Sequence, residues 1–162
     1  MSKNNRKISL NSHDHAILRV LQSEGRISNV ELAERISLSE SATLRRVRAL
    51  EQAGLIEGYT ARIDQAAAGM PGNVFVNITL QHQDQPDLEA FEAAVQQVPE
   101  VMECYLMTGN FDYLLRVVVA DTADFERIHR QKLTRLPGVS RVQSSFTLRT
   151  VRKSSVLPVA ET

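Results

Sequence analysis

Twice in the second half of this chain, a helix is opened and closed by the same punctuation. Asp87-x-x-x-Phe91 and Asp121-x-x-x-Phe125 open two stretches with helical period. Their apolar stripes are Leu88, Phe91, Val95 and Val98, then Phe125, Ile128, Leu133 and Leu136. Val98-Pro99-x-Val101 and Leu136-Pro137-x-Val139 close them, because proline cannot continue a helix. Strand patterns flank both. Asn73 to Leu80 alternates, with Val74, Val76, Ile78 and Leu80 on one face and Asn77 and Thr79 on the other, the period of a half-buried strand. Val101–Met107 and Asp112–Ala120 read as strands around the turn signal Thr108-Gly109-Asn110. Val139–Val151 reads as a last long strand.

The order is βαββαβ, two βαβ halves that predict a ferredoxin-like split βαβ domain with both helices on one sheet face. Leucine, valine and phenylalanine occur on both faces of these strands, so the uncovered face calls for a cover. A second subunit is the simplest one.

The first sixty residues switch to helical period throughout. Ser12 reads as an N-cap, with Ile17, Leu18 and Leu21 on one face and Gly25 as the stop. Ser28 and Glu31 have capping-box spacing ahead of Leu32, Ala33 and Ile36. After the break Ser37-Leu38, Ser39 caps a third helix that Gly54 ends. Its expected inward stripe is Leu44, Val47 and Leu50. Two helices this close in sequence read as a helix-turn-helix. With that stripe inward, Arg45 and Arg46 project farthest away and Arg48 less so. A guanidinium pairs with phosphate oxygens or with the O6 and N7 edge of guanine. The small residues Ser41, Ala42 and Thr43 would let this helix end enter a major groove, with Ser41 and Thr43 reading or flanking bases. Three arginines are also what a solvated helix face carries. A solvated face mixes signs, however, and here no glutamate intervenes until Glu51. Leu55 to Gly72 contains Gly58, Gly69 and Pro71 and reads as a short strand, then a linker.

The net charge of zero hides a small asymmetry. Residues 1–60 hold nine Lys/Arg against seven Asp/Glu, and residues 61–162 hold ten against twelve. The basic half is thus the half with the helix-turn-helix, as a nucleic-acid binder requires. Met1 to Ser12 is polar and basic with no apolar core of a signal peptide. No apolar run approaches the roughly 18 residues that span a bilayer. Cys104, the single cysteine, excludes an intrachain disulfide. A cytoplasmic location, with no membrane contact, is the expectation.

Nothing in the chain calls for a metal or a cofactor. His13 and His15 sit two apart on a helix and point apart, and His82 and His129 have no partners at ligand spacing. Cys104 lacks a basic neighbour and reads as a buried, inert thiol. There is no Gly-x-Ser-x-Gly elbow and no Gly-rich phosphate loop. No catalytic residue is assigned. Two other classes stay open beside a DNA-binding regulator: a small enzyme using the open sheet face, and a protein-binding adaptor.

Taken together, these segments resemble one family, the leucine-responsive regulator and AsnC group, also called feast/famine regulators. The resemblance runs through Asp14-x-x-Ile17-Leu18, Gly25-Arg26-Ile27-Ser28-Asn29-Val30-Glu31-Leu32-Ala33 and Leu44-x-Arg46-Val47-x-x-Leu50-Glu51-x-x-Gly54-x-Ile56-x-Gly58-Tyr59. It continues in Thr108-Gly109-x-x-Asp112-Tyr113-Leu114-Leu115 and Leu136-Pro137-Gly138-Val139. It implies an α+β chain in which a winged helix-turn-helix precedes a ligand-responsive, RAM-type βαββαβ domain. It implies homodimers made through that second domain and assembled further into octamers, bound to double-stranded DNA. It also implies an amino-acid effector held between subunits near the Gly109-to-Asp112 turn. Two positions depart from the family: Glu40 where proline often follows the cap, and Leu10-Asn11 where Leu-Asp is usual.

The resemblance makes the expected domains a DNA-binding domain over 1–60, a linker strand and hinge over 61–72, and an effector-binding and oligomerisation domain over 73–162. By spacing alone, Gly109-Asn110 is a hairpin turn and Asp112 its capping acid. With the resemblance, the expected effector site gathers Leu106, Thr108, Gly109, Asn110, Phe111 and Asp112, joined by Ser145, Phe146 and Thr147 from the last strand. Turn N–H groups can hold a carboxylate, and Asp112 can pair with an ammonium. Leu106, Phe111 and Phe146 suggest an apolar pocket, for leucine or methionine.

Overall fold

Each helix of the N-terminal half begins on a side-chain cap that the sequence supplies. The computed structural model describes residues 9–159, so the opening segment up to Ile8, part of the polar Met1–Ser12 stretch, lies outside the described residues. Helix α1 (Ser12–Ser23) is capped by Asn11, not by Ser12 as expected. The Asn11 side chain accepts from the His13 and Asp14 N–H groups, and Asp14 returns a bond to the Asn11 N–H. Asn11 thus does the work of the acid usual there, since both side-chain types cap well. Helix α2 (Asn29–Arg35) starts on the predicted Ser28–Glu31 capping box. Helix α3 (Glu40–Gln52) starts on Ser39.

Helices α2 and α3 end alike. After α2, the Leu38 N–H reaches the Ala33 carbonyl and the Ser37 N–H the Glu34 carbonyl. After α3, the Leu55 N–H reaches the Leu50 carbonyl and the Gly54 N–H the Glu51 carbonyl. Both are Schellman ends, which need one left-handed residue. Gly54 takes that place after α3 with φ 73°. After α2 it is Ser37, with φ 55°, where a Cβ crowds the backbone. This tight, strained turn sets α3 a few residues behind α2.

The described residues form two compact units, the described part of Met1–Arg62 with that of Arg152–Thr162, and Ile63–Val151. The expected domain 73–162 spans the boundary between the units, since residues 152–159 group with the first. There the Leu157 N–H donates to Gln22 Oε1 at 2.6 Å, and Val159 packs against the core of Ile17, Leu18, Leu32, Ile36 and Leu50.

In the second unit, β1 (Gly72–Leu80), α4 (Gln85–Val95), β2 (Val101–Leu106), β3 (Tyr113–Val119), α5 (Thr122–Gln131) and β4 (Val139–Phe146) follow in the predicted order. The sheet runs β2-β3-β1-β4, with every neighbouring pair antiparallel. Val74, Val76, Ile78 and Leu80 meet Phe91, Val95, Phe125 and Ile128 in one core. The predicted alternation of β1 is thus the observed burial pattern. Two expectations fail. The stretch after α3 forms no strand among the described residues; a turn over 65–69 precedes β1 instead. The last strand stops at Phe146, paired with Val74, rather than at Val151; one more bond, from the Thr147 N–H to the Asn73 carbonyl, follows it.

Ser37→Gly removes the left-handed penalty at the α2 end. It is expected to raise stability by about 1 kcal/mol in urea unfolding, with the helix-turn-helix intact. A destabilised variant would show that the Ser37 conformation is not strained.

Candidate nucleic-acid interface and effector turn

The inward face of α3 keeps Val47 and Leu50 as expected but takes Thr43 in place of Leu44. Thr43 and Leu50 are fully or nearly fully buried and Val47 half-buried, whereas Leu44 stands 39 % exposed. Thr43 Oγ1 donates to the Ser39 carbonyl inside the turn, so its hydroxyl is buried and satisfied within the helix. Arg46 also lies inward. Its Nη1 meets Asp14 Oδ1 at 3.0 Å, and the other oxygen of Asp14 holds the Asn11 N–H. Of the five residues expected to contact DNA, Thr43 and Arg46 are thus engaged inside the three-helix unit. The stripe left outside is Ser41, Leu44, Arg45 and Arg48, spaced i, i+3, i+4 and i+7 along one helix face. Among the described residues, neither Arg45 nor Arg48 has a side-chain partner, so both guanidinium groups face solvent. The start of α3 is tied to α2 by the Asn29 side chain, which donates to the Glu40 carbonyl at 2.9 Å. Arg35 grips Glu24 with both guanidinium nitrogens, joining the ends of α1 and α2 and holding the Glu24 carboxyl below its usual range. Chemically, the arrangement is a rigid three-helix frame that presents one hydroxyl, one apolar side chain and two free guanidinium groups.

The turn between β2 and β3 is closed by the Met107 N–H donating to the Asp112 carbonyl at 2.8 Å. Gly109 holds φ 121°, a conformation that side-chain-bearing residues rarely adopt, and a Cβ there would meet open space. Glycine is thus required by the backbone and not by crowding. Thr108, Gly109 and Asn110 are exposed, Leu106 is 59 % exposed and Phe111 half-buried. Asp112 is buried. Its Oδ2 accepts the Leu80 N–H and its Oδ1 the Gln83 side chain, each at 2.7 Å. The bland reading of Asp112 as a capping acid thus describes part of what it does: it ties the turn to the end of β1. Gln83 is a partner that no spacing rule pointed to, since it lies in a polar loop 29 residues away.

Ser145, Phe146 and Thr147 lie elsewhere. The Thr147 N–H bonds to Asn73 at one end of β1, whereas Asp112 bonds to Ile78 and Leu80 at the other. Five residues of strand, about 17 Å, separate the two places. The structure does not bring these two groups of expected effector residues together within one chain. Phe146 packs edge-on to Phe125, with ring centroids 5.0 Å apart. Thr147 Oγ1 is buried without a partner. Cys104 is exposed rather than buried, because β2 is an edge strand. Desolvation and the nearby Glu92 push its thiol up to about 11, so it stays protonated and unreactive at neutral pH. Among the described residues, no helix is long and apolar enough to cross a membrane, and no cluster of three or more His, Cys, Asp or Glu side chains is placed to hold a metal.

These two features, a capped helix-turn-helix and a βαββαβ unit with an exposed turn, define a class of DNA-binding regulators with an attached ligand domain. Residues 10–57 match a winged helix-turn-helix DNA-binding family, and residues 73–157 match the Lrp/AsnC ligand binding domain. The chain is 42 % identical over 146 residues to the Bkd operon transcriptional regulator of Pseudomonas aeruginosa, covering 90 % of this chain and 95 % of that one. It is 42 % identical over 147 residues to the leucine-responsive regulatory protein of Escherichia coli, covering 90 % and 89 %. Its fold matches a transcriptional regulator of Neisseria meningitidis crystallised with L-methionine, with TM-score 0.88, 36 % identity and coverage of 93 % and 97 %. The chain belongs to the Lrp/AsnC family of transcription regulators.

The Asp14–Arg46 pair gives a stability prediction. Both side chains are mostly shielded, so Arg46→Ala and Asp14→Asn should each cost about 1–3 kcal/mol, between the values of exposed and buried pairs. In urea unfolding, the double variant should lose much less than the sum of the two. Folded Arg46→Ala should keep the parent's salt dependence of DNA binding. Additive losses with a shallower salt slope would return Arg46 to the DNA contact list.

Proposed function

We propose that this regulator works in the cytoplasm as a homodimer, assembled further into octamers, and binds operator DNA through Ser41, Arg45 and Arg48. The carrying observation is the outward stripe of α3, where two arginines stand without partners among the described residues. Free guanidinium groups on the second helix of a helix-turn-helix are placed to meet phosphates or guanine edges in a major groove. A dimer suits this reading, because two such helices about 34 Å apart match one turn of duplex. The open sheet face supports it too. Phe75 on β1 is 40 % exposed and Tyr105 on the edge strand β2 is 52 % exposed, both on the face the helices leave bare.

The effector in this reading is an amino acid beside the turn Thr108–Asp112, with leucine and methionine the first choices from the names of the relatives. The exposed N–H groups around Gly109 receive its carboxylate. Asp112 supplies a fixed negative charge beneath the turn, and Leu106 and Phe111 supply apolar surface. Ser145, Phe146 and Thr147 belong to such a site only when a second subunit brings them to it.

Three measurements test this. Arg45→Ala and Arg48→Ala should each lower the slope of log K against log salt by about one unit for a phosphate contact, or cost about 1–3 kcal/mol at a single base. Two folded variants that bind like the parent would remove α3 from the interface. Light scattering at micromolar concentration should give a dimer or larger; a monomer rejects the assembly. In calorimetry, L-leucine or L-methionine should bind the parent and bind Asp112→Asn at least about tenfold more weakly, the effect of losing one charged contact. Equal affinities in the two proteins would reject Asp112.

A further inference from the structure

The stripe that α3 turns outward contains one residue that neither phosphate binding nor guanine recognition uses. Leu44 is 39 % exposed and sits one turn after Ser41, beside Arg45 and one turn before Arg48. The inward stripe of the same helix is complete without it, since Thr43, Val47 and Leu50 fill the positions facing the core. Single exposed leucines are ordinary on protein surfaces. This one shares a helix face with two free guanidinium groups, Arg45 next to it and Arg48 one turn further on, where a docked duplex would cover it.

We propose that Leu44 is a specificity residue that reads a thymine methyl group in the major groove. The proposal rests on α3 being the DNA-contacting helix, as argued above. The chemistry of the groove narrows the choice. Guanine offers two acceptors, adenine a donor and an acceptor, and cytosine a donor. Thymine alone presents an apolar group there, its C5 methyl. A leucine side chain has no donor or acceptor, so it gains nothing from the other three edges and leaves their polar atoms dry. Against thymine it buries its own surface and that of the methyl together. Arg45 and Arg48 fix the register on its C-terminal side, and the hydroxyl of Ser41, one turn before it, adapts to a donor or an acceptor. The half-site read by this stripe is therefore expected to contain a thymine at the position opposite Leu44.

Deoxyuracil in place of thymine deletes the methyl and leaves base pairing unchanged, which isolates this contact. A duplex is first selected by the parent protein from a random-sequence pool, and each thymine is then replaced in turn. At one position of each half-site the parent should lose about fourfold in affinity, the effect of one apolar carbon left in water. Leu44→Ala should bind the thymine and uracil duplexes equally at that position, with the parent's salt slope and an unchanged melting temperature. Arg48→Ala should bind more weakly yet keep the thymine preference. Because the uracil series is read on the parent, it decides the matter even where a variant fails to fold. No uracil-sensitive position, with Arg45→Ala and Arg48→Ala still weakening binding, would overturn the role of Leu44 while leaving α3 in the groove. A preference that persists in folded Leu44→Ala would overturn it as well. Full binding by both arginine variants would sink the underlying reading instead.

Discussion

Asp14 and Arg46 decide which face of α3 is free. A helix advances about 100° per residue, so a small rotation in its first turns exchanges one neighbour for the next on the buried side. On hydropathy alone, α3 could seat Leu44 or Thr43 against the domain. The carboxylate of Asp14 is held in place by the Asn11 capping box at the start of α1, and it draws the Arg46 guanidinium inward. Thr43, at i−3 from Arg46, follows it and satisfies its hydroxyl on the Ser39 carbonyl. Leu44 is then turned out. A buried threonine in exchange for an exposed leucine is poor bookkeeping by area alone. The ion pair and the internal hydrogen bond supply the compensation, and the outcome is a face that carries Ser41, Leu44, Arg45 and Arg48.

The second unit depends in a similar way on one strand. β1 is paired along both edges and buried on one face, so its two ends are fixed points of the sheet. One end carries the Asp112 turn through the Leu80 N–H, and the other carries Thr147 through Asn73. Asp112 is a buried carboxylate whose two oxygens each accept one hydrogen bond. It gives the turn a definite position relative to the core. Removing the charge while keeping the shape, as asparagine does, separates that positioning from any electrostatic role.

The elements that sequence made legible were those with a strong local signal. The alternation of Val74 to Leu80, the Ser28–Glu31 box, the Ser39 cap and the Gly54 stop each depend on neighbours within a few residues, and each is present in the structure. What was not legible depends on distant partners. The phase of α3 is set by Asp14, 32 residues away. The end of β4 lies against β1, where Phe146 pairs with Val74, far back in the chain. The return of residues 152–159 to the first unit is fixed by Gln22, 135 residues away, and by a single valine. The same holds for the five residues expected on the DNA side. Ser41, Arg45 and Arg48 keep an outward place, while Thr43 and Arg46 are drawn in by partners that no local count could reveal.

The 17 Å between the two groups of expected effector residues has a thermodynamic consequence in the proposed reading. A ligand the size of an amino acid cannot touch both ends of β1 in one chain. A site that uses both is complete only where two copies of the chain meet. Binding energy from the second copy's residues is then available to the assembled form and absent from the separated one. A ligand that binds one state more tightly must shift the equilibrium toward it, by RT ln of the ratio of affinities. Ligand affinity and subunit affinity therefore become reciprocal: each rises by the same factor when the other partner is present. A site built only from the turn Thr108–Asp112 carries no such obligation, since one chain supplies all of it. The two versions of the site differ in whether effector affinity depends on protein concentration, and the separation of Asp112 from Thr147 along β1 makes that dependence the property that tells them apart.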